Sequence, residues 1–421
     1  MKMEQMSKPK PPLGAYIVGV YLFSVPAFAY SESLGLLIIP QITGVLLVAC
    51  AILDILGSQS IKIPYEIQLY GFMGLWVVIT FIFGASTDEW RPLGTLIKVV
   101  FATLACAQLI KDDNDLFTAL KIFVFSILFV YYQNMGDLKY LRIADKITEE
   151  ERFAGTLANA NVAAIFSLTV IWAAILLLLH SKKRLLSRAI YFIPIGIGLL
   201  IIYYSGSKKG MIGTGLFVLF FARLFYMRQR YSFYKKSLVI LISFALIILV
   251  GYFVYSSPFF SRIEQFYYGR SDSDFIRFNL AKEAVSVWLM NLKTFFMGVG
   301  YDSFRVFSSY QDYSHSTPFE LLASNGVIGF SLFAAFLFVL FRKFYFLYRQ
   351  TTNRESKSIF YSTLIFLFIF CVFMPAAVLH DSRELLPILG AMAAFGQYHL
   401  CLLGQSAINE RLTSICEDAI V

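Results

Sequence analysis

Long apolar runs, separated by short polar segments, recur along almost the whole chain. A helix needs about 20 apolar residues to cross a bilayer, and most of these runs have about that length. Because lipid offers no hydrogen-bond partner to a backbone amide, such runs must be helical. The pattern predicts an all-α polytopic membrane protein with about 12 transmembrane helices. The predicted spans lie near residues 13–30, 33–56, 66–85, 93–110, 115–133, 156–179, 185–204, 210–227, 236–256, 317–341, 357–379 and 385–404.

The amino-acid composition agrees with this interpretation. Hydrophobic residues make up 58% of the 421 residues, and charged residues only 15%. A soluble domain carries about 25% charged residues, so a soluble protein of this composition would lack the polar surface to cover its core. The composition therefore excludes an ordinary soluble protein.

Basic residues between the predicted spans follow the positive-inside rule. With the N-terminus placed inside, the basic segments 180–188, 228–236 and 342–357 fall on the cytoplasmic side, and so does the tail from Gln405. The net charge of +9 then follows from topology. No nucleic-acid partner is expected, because no soluble domain carries a basic stripe.

This topology divides the chain into four parts. Spans 1–9 form a bundle over residues 1–256, an outer loop covers 257–316, spans 10–12 cover 317–404, and a cytoplasmic tail covers 405–421. The outer loop is predicted to contain an amphipathic helix from about Phe275 to Phe296, which Gly298 and Gly300 end. Its predicted apolar stripe consists of Phe278, Ala281, Val285 and Trp288.

Several basic residues fall on the outer side, where the positive-inside rule predicts few. They are Arg152, Lys208, Lys209, Arg262, Arg270 and Arg277. Each alone is compatible with snorkelling toward lipid headgroups. As a group they suit an anionic ligand such as phosphate or pyrophosphate, and a helix N-terminus at Gly210 would add its dipole to Lys208 and Lys209.

His315 is the candidate proton acceptor. It stands at the end of the outer loop, just before the tenth predicted span, and an imidazole is a usable base near neutral pH. A lone histidine in an exposed loop is more often inert. His380, Asp381 and Arg383 form a second predicted polar cluster on the outer face, between the last two spans.

Four segments, in order, resemble the O-antigen polymerase/ligase superfamily. They are Arg152-Phe153-Ala154-Gly155-Thr156 with Asn159-Ala160-Asn161, the turn Ser205-Gly206-Ser207-Lys208-Lys209, Arg277 followed by a helix and Gly298-Val299-Gly300, and the stretch from His315 to Gly329 that contains Glu320. The chain departs from the family pattern at three places. Ser316 replaces an Asn, Ser324 stands where an acidic residue is common, and a lysine of the turn replaces an Arg, which loses the bidentate fork for phosphate.

The resemblance implies a GT-C-like glycosyltransferase of the bacterial inner membrane, with its active site on the outer face. The donor would be a glycan on undecaprenyl diphosphate, and the acceptor a lipid-linked glycan or a lipid A core. Membrane lipids and a chain-length regulator are the other expected partners, and no metal or cofactor would be needed. His315 would be the general base and Lys208, Lys209, Arg277 and Arg152 would bind the diphosphate, with His380, Asp381, Arg383 and Glu320 as accessory residues.

Three alternatives remain open at this point. A repeat-unit polymerase is favoured over an O-antigen ligase by the Ser-Lys-Lys and His-Ser motifs. A transporter of lipid-linked glycan or solute is less favoured, because no internal repeat is evident and few ionisable residues, among them Glu66, Lys98 and Lys121, are placed in or at the edges of the early spans. The outer basic turn argues against a purely structural or signalling membrane protein.

Overall fold

The computed structural model describes residues 12–28, 38–84, 90–133, 160–180, 189–228 and 272–418, and all regular structure in these ranges is helical. The α-helices are α1 Leu13–Phe28, α2 Ile38–Ser58, α3 Tyr65–Phe83, α4 Arg91–Leu109, α5 Asp113–Val124, α6 Ser126–Gln133, α7 Ala160–His180, α8 Phe192–Ser205, α9 Lys208–Arg228, α10 Asp272–Trp288, α11 Leu292–Met297, α12 Phe304–Phe307, α13 Thr317–Gln350, α14 Arg354–Phe373 and α15 Leu386–Asp418.

Eight helical segments in the described ranges are long and apolar enough to span a membrane. They are Ile38–Ser58, Tyr65–Phe83, Arg91–Leu109, Asp113–Gln133, Ala160–His180, Thr317–Gln350, Arg354–Phe373 and Leu386–Gln405, and shorter apolar helices cover Leu13–Phe28, Phe192–Ser205 and Lys209–Phe220. The all-helical, multi-pass prediction is confirmed. The ninth predicted span, near 236–256, lies outside the described residues, so the total of 12 stays a prediction.

Helix α7 lies at the centre of one half of the bundle. It is apolar on every side, and nearly all of its side chains are buried. Such a helix belongs in the interior, because no face of it is polar enough for water. It packs against α5, α8, α9 and α14, and its Trp172 stacks on Phe366 of α14 with ring centroids 4.4 Å apart.

Helix α13 organises the other half, where it packs against α3, α10, α11 and α14. It continues nine residues beyond the predicted end of the span at Phe341, to Gln350. The first part of the basic segment 342–357 is therefore helical, and its cytoplasmic placement stays a prediction. Lys343 is buried, and its Nζ lies 2.5 Å from Glu66 Oε1 and 3.0 Å from Gln397 Oε1. A buried ammonium requires such partners, which explains how a lysine is accommodated inside the bundle.

The predicted outer helix from Phe275 to Phe296 is two helices, α10 and α11. Asn291 separates them through a capping box: its Oδ1 accepts from the Thr294 amide at 3.0 Å, and Thr294 Oγ1 accepts from the Asn291 amide at 3.0 Å. This reciprocal bonding starts a new helix at Leu292. The prediction that Gly298 ends the helical segment is confirmed for α11.

The predicted apolar stripe of this segment is also wrong. Phe278 is exposed, and the buried side chains of α10 are Leu280 and Ala284. They pack with Phe304 and Ala323, and the half-buried Ile276 and Val287 join them. Both stripes have helical spacing, and the docking of α10 on α12 and α13 selects which of them is covered.

The segment after α11 is joined to α13 by backbone hydrogen bonds. The Val299 amide donates to the Ala323 carbonyl at 2.8 Å, and the Gly300 amide donates to the Ser324 carbonyl at 3.0 Å. These carbonyls are free to accept because α13 is interrupted just beyond them, at Gly326. The two bonds hold the outer segment against the first turns of α13.

Two glycines permit this contact. Gly298 (φ +71°, ψ −169°) and Gly326 (φ +66°, ψ −173°) both adopt a conformation that is essentially restricted to glycine. A Cβ on Gly326 would stand 2.2 Å from the Phe296 carbonyl oxygen, and a Cβ on Gly298 would stand 2.3 Å from the Ser324 carbonyl carbon. The two chain segments therefore touch backbone to backbone, with no room for a side chain at either position.

We expect Gly326→Ala to disrupt this contact. The backbone conformation alone costs about 1–3 kcal/mol for a residue with a Cβ, and the clash with Phe296 adds to it. Gly94→Ala in α4 is the control, because its Cβ would meet nothing within 4 Å. Thermal unfolding in detergent should show a large loss for Gly326→Ala and little change for Gly94→Ala. Equal midpoints would contradict the interpretation.

Candidate functional site

His315 lies in the loop between α12 and α13, with a backbone that few residues adopt. Its φ is +54°, in the left-handed region, where a non-glycine residue is uncommon. The flanking serines hold it there: the Ser314 amide donates to Glu320 Oε2 at 2.8 Å, and Ser314 Oγ donates to the Ser316 carbonyl at 3.0 Å. Backbone strain held by neighbouring bonds is frequent at functional sites.

The His315 ring is oriented by the residues just before it. Its Nε2 lies 3.0 Å from Asp312 Oδ2, and the Tyr313 ring lies against it with centroids 4.1 Å apart. A neutral ring that donates from Nε2 to Asp312 keeps Nδ1 as its acceptor. The side chain remains 24% exposed, so one edge of the ring can be reached from outside.

The surroundings favour the neutral form of the imidazole. Burial lowers the pKa of His315 below its ordinary value, and Arg277 and Lys209 lower the pKa further, while Asp312 opposes them. Burial acts because it disfavours the charged ring, and the two cations act by repulsion. The pKa of the neighbouring Tyr313 is raised, chiefly by burial and then by Asp312.

Three of the residues predicted for the site are thus brought together. Lys209 is in the first turn of α9 and Arg277 in the second turn of α10; both side chains are half-buried and near enough to His315 to affect its protonation. Lys208 begins α9. Arg152 lies outside the described residues, so its place in the site stays a prediction.

The turn before α9 is tied to α7. Ser207 Oγ donates to Asn161 Oδ1 at 2.8 Å and accepts from the Gly210 amide at 3.3 Å, so it caps the start of α9. Asn161 and Ser207 are both buried. Two segments that are 46 positions apart in the sequence therefore meet and fix the position from which Lys209 extends.

Glu320 is a supporting residue. It is buried in the first turn of α13, where it accepts from the Ser314 amide and, at 3.0 Å, from Ser324 Oγ. Ser324 stands where the resembled family commonly has an acidic residue, and here it serves as a donor to Glu320. The contacts of Glu320 hold the loop that carries His315.

The segment with His380, Asp381 and Arg383 lies between α14 and α15, and His380 is buried there. The placement of this cluster on the outer face stays a prediction. His380 is 1% exposed between the rings of Tyr301 and Phe333, with ring centroids 6.1 and 6.4 Å away. Tyr70 and Tyr301 provide the hydrogen bonds that hold this segment inward. Tyr70 OH donates to the His380 carbonyl at 2.9 Å, and Tyr301 OH donates to Asp381 Oδ2 at 2.9 Å.

Arg383 extends in another direction. Its guanidinium donates to Thr95 Oγ1 of α4 at 3.2 Å.

Three residues of this region were not singled out from the sequence: Asp312, Tyr313 and Tyr301. The spacing of three residues between Asp312 and His315 was the available signal, but only the turn between them shows that their side chains meet.

The region that carries these residues matches a known family. Residues 193–334 match the family model described as O-antigen ligase. The predicted resemblance to the O-antigen polymerase/ligase superfamily is confirmed. The match runs from α8 into α13, so it includes Lys209, Arg277 and His315. A search of curated proteins finds no match to the chain.

The O-antigen ligase match and the apolar helices lead to one coarse conclusion. The chain is a multi-pass membrane protein, and the family match supports a membrane enzyme of the O-antigen ligase/polymerase type. The matched region covers about a third of the chain, and α3, α4, α14 and α15 lie outside it.

The protonation of His315 can be measured directly. In protein with isotope-labelled histidine, each of the chain's four histidines gives its own signal, and His315→Gln identifies the signal of His315. We expect its NMR midpoint below 6.5. Asp312→Asn should lower the midpoint further, because the carboxylate raises the pKa, and Lys209→Ala should raise it, because the cation lowers the pKa. A wild-type midpoint above 6.5 would contradict this account.

Proposed function

We propose that the protein is an inverting glycosyltransferase of the bacterial inner membrane. It transfers a glycan from undecaprenyl diphosphate to a sugar hydroxyl on the outer face, as a polymerase of O-antigen or capsular repeat units. The observation that carries the proposal is the neutral, partly exposed imidazole of His315 within electrostatic range of Lys209 and Arg277. A base and a pair of cations are what this transfer requires.

His315 acts as the general base. The acceptor hydroxyl attacks the anomeric carbon and loses its proton to Nδ1, while Nε2 stays hydrogen-bonded to Asp312. The bond between the anomeric carbon and the diphosphate oxygen breaks, and the diphosphate leaves with the bonding electrons. Proton removal of this kind is worth about 10²–10⁴-fold in rate. Direct displacement inverts the anomeric centre.

Lys209 and Arg277 stabilise the leaving group. Charge develops on the diphosphate as the bond breaks, and half-buried cations act more strongly on it than cations in water. Arg277 can bind two oxygens at once, whereas Lys209 is a point charge. Lys208 and Arg152 are proposed as further diphosphate ligands on the strength of the family resemblance.

Several neighbours have supporting roles in this proposal. Asp312 orients the imidazole of His315, and Glu320 holds the adjacent Ser314. Ser316 precedes the first residue of α13, and its buried Oγ has no hydrogen-bond partner among the described residues. Asp381 accepts a hydrogen bond from Tyr301, which lies in the segment between α11 and α12, and we propose for it an accessory, positioning role.

Removal of either cation should slow the purified enzyme on a lipid-linked donor. Loss of a charged hydrogen-bonding partner costs roughly 1.5–3 kcal/mol. If the interaction is made in the transition state, this corresponds to a rate about 10- to 150-fold lower. We expect this loss in Lys209→Ala and in Arg277→Ala. Lys282→Ala is the matched control, because Lys282 is exposed on the same helix as Arg277 and lies over the Phe278 ring. Full activity in both variants and in their double mutant would contradict the proposal.

The pH dependence separates the two possible roles of His315. As a base, the ring must be neutral, so the rate should rise with pH through the lowered pKa of His315. As a cationic phosphate ligand, the ring would lose activity over the same range. Asp312→Asn should move the acid limb of the profile to lower pH. Near wild-type turnover in His315→Ala would exclude both roles.

O-antigen ligase is the second candidate, and the description of the matched family favours it. Deletion of the gene in the source organism distinguishes the reactions by their products. Loss of a polymerase leaves a single repeat unit on the acceptor, and this is the expected result. Loss of a ligase leaves lipid-linked polymer and no attached glycan. Accumulation of the unit inside the cell would indicate a transporter and contradict both enzymes.

A further inference from the structure

The turn that joins α10 to α11 presents an apolar surface. Between residues 289 and 297, the side chains of Leu289, Met290, Leu292 and Phe296 are exposed, and Leu292 is 78% exposed. We call these four side chains the apolar tip. Contiguous exposed apolar surface of this kind marks an interaction site.

The apolar tip stands beside the end of a membrane-spanning helix. Lys293 Nζ donates to the carbonyl of Phe83, the last residue of α3, at 2.8 Å. Gly84 follows, and a Cβ there would stand 2.5 Å from Gly300 Cα. The segment that carries the apolar tip therefore lies at the same end of the bundle as the C-terminus of α3, and in direct contact with it.

The neighbouring surface of α3 is apolar and exposed. Phe72, Leu75, Ile82 and Phe83 are all more than half exposed on a helix that is long and apolar enough to span a membrane. Trp90 is exposed just before α4 and its ring packs on Phe81 at 4.9 Å. Tryptophan at a helix end is typical of the membrane–water interface. The apolar tip continues this exposed apolar surface at its rim.

The few charges in residues 289–297 are also compatible with a lipid environment. Residues 289–297 contain no carboxylate, and Lys293 is their only charged residue. Its ammonium group is bound to a backbone carbonyl, which allows its stem to lie along apolar surface. Trp288 is similarly arranged: its indole N–H donates to the Phe295 carbonyl at 3.0 Å, and its ring stacks on Phe295.

We propose that the apolar tip inserts into the bilayer leaflet at this end of the bundle and anchors α10 and α11 in the membrane interface. The occupant of this surface is lipid, because the surface is continuous with that of α3. One consequence rests on the proposed function. An anchored α10 would hold Arg277 near the headgroup level, where the diphosphate of a lipid-linked donor lies.

Spin labels at single cysteines in liposomes of phosphatidylethanolamine and phosphatidylglycerol test the insertion directly. The five native cysteines are first replaced by alanine. The test labels are attached at Met290→Cys and Leu292→Cys. A label at Leu75→Cys on α3 is the lipid reference, and a label at Ser286→Cys, on the exposed face of α10, is the water reference. Oxygen concentrates in the apolar phase and a charge-neutral nickel complex in water, so their collision rates report the phase around each label.

We expect labels at 290 and 292 to resemble the label at 75, with oxygen collisions exceeding nickel collisions. The label at 286 should show the reverse order. Nickel collisions that exceed oxygen collisions at both 290 and 292 would place the apolar tip in water and overturn the proposal. Protection from both reagents would indicate a protein contact, such as a second copy of this chain, and would overturn it equally.

This measurement does not depend on enzymatic activity. If the labels report lipid and Arg277→Ala is fully active, the anchor stands and the proposed role of Arg277 fails. If Arg277→Ala is impaired and the labels report water, the proposed role of Arg277 stands and the anchor fails. Purified variants that elute as a single species with the wild-type thermal midpoint exclude misfolding as the cause of any change.

Discussion

The backbone contact between Gly298 and the interruption in α13 is the constraint on which the arrangement of the outer segment depends. The first turns of α13 accept hydrogen bonds from the segment after α11, and Gly326 lets the helix change direction at that point. Without a Cβ on either side, the two segments reach a separation that no other residue permits. His315 lies in the loop before α13 and Arg277 lies on α10, so this contact contributes, together with the packing of α10 on α13, to the position of one relative to the other.

The candidate site combines opposing electrostatic effects. Burial and two cations favour the neutral imidazole of His315, while Asp312 limits the depression of its pKa. A base near neutral pH requires such a balance, since an imidazole with too low a pKa is a weak proton acceptor. In the proposed mechanism, the same cations that depress the pKa of His315 also bind the diphosphate. One arrangement of charge can therefore serve proton removal and leaving-group stabilisation together.

Buried polar groups recur where helices meet in this bundle. Lys343 and Glu66 pair between α13 and α3, and Asp381 receives the hydroxyl of Tyr301. In a bilayer, each such group must find its partner within the protein, because the lipid cannot provide one. The pair of Lys343 and Glu66 ties α3, which lies outside the matched family region, to α13, which follows the loop that carries His315.

The sequence alone determined the helical, membrane-spanning character of the chain and most span positions. Spanning is a local property: a run of about 20 apolar residues becomes a helix in lipid whatever its neighbours do. The family motifs also named His315, Lys209 and Arg277 without showing that they meet. Tertiary structure decided the rest, because it depends on packing between distant segments. Packing between these segments separates α10 from α11 and determines which apolar stripe of α10 is covered. It also buries His380 and Lys343 in the bundle and brings Asp312 beside His315. Helical spacing offers several faces to a partner, and only the partner's position selects one of them.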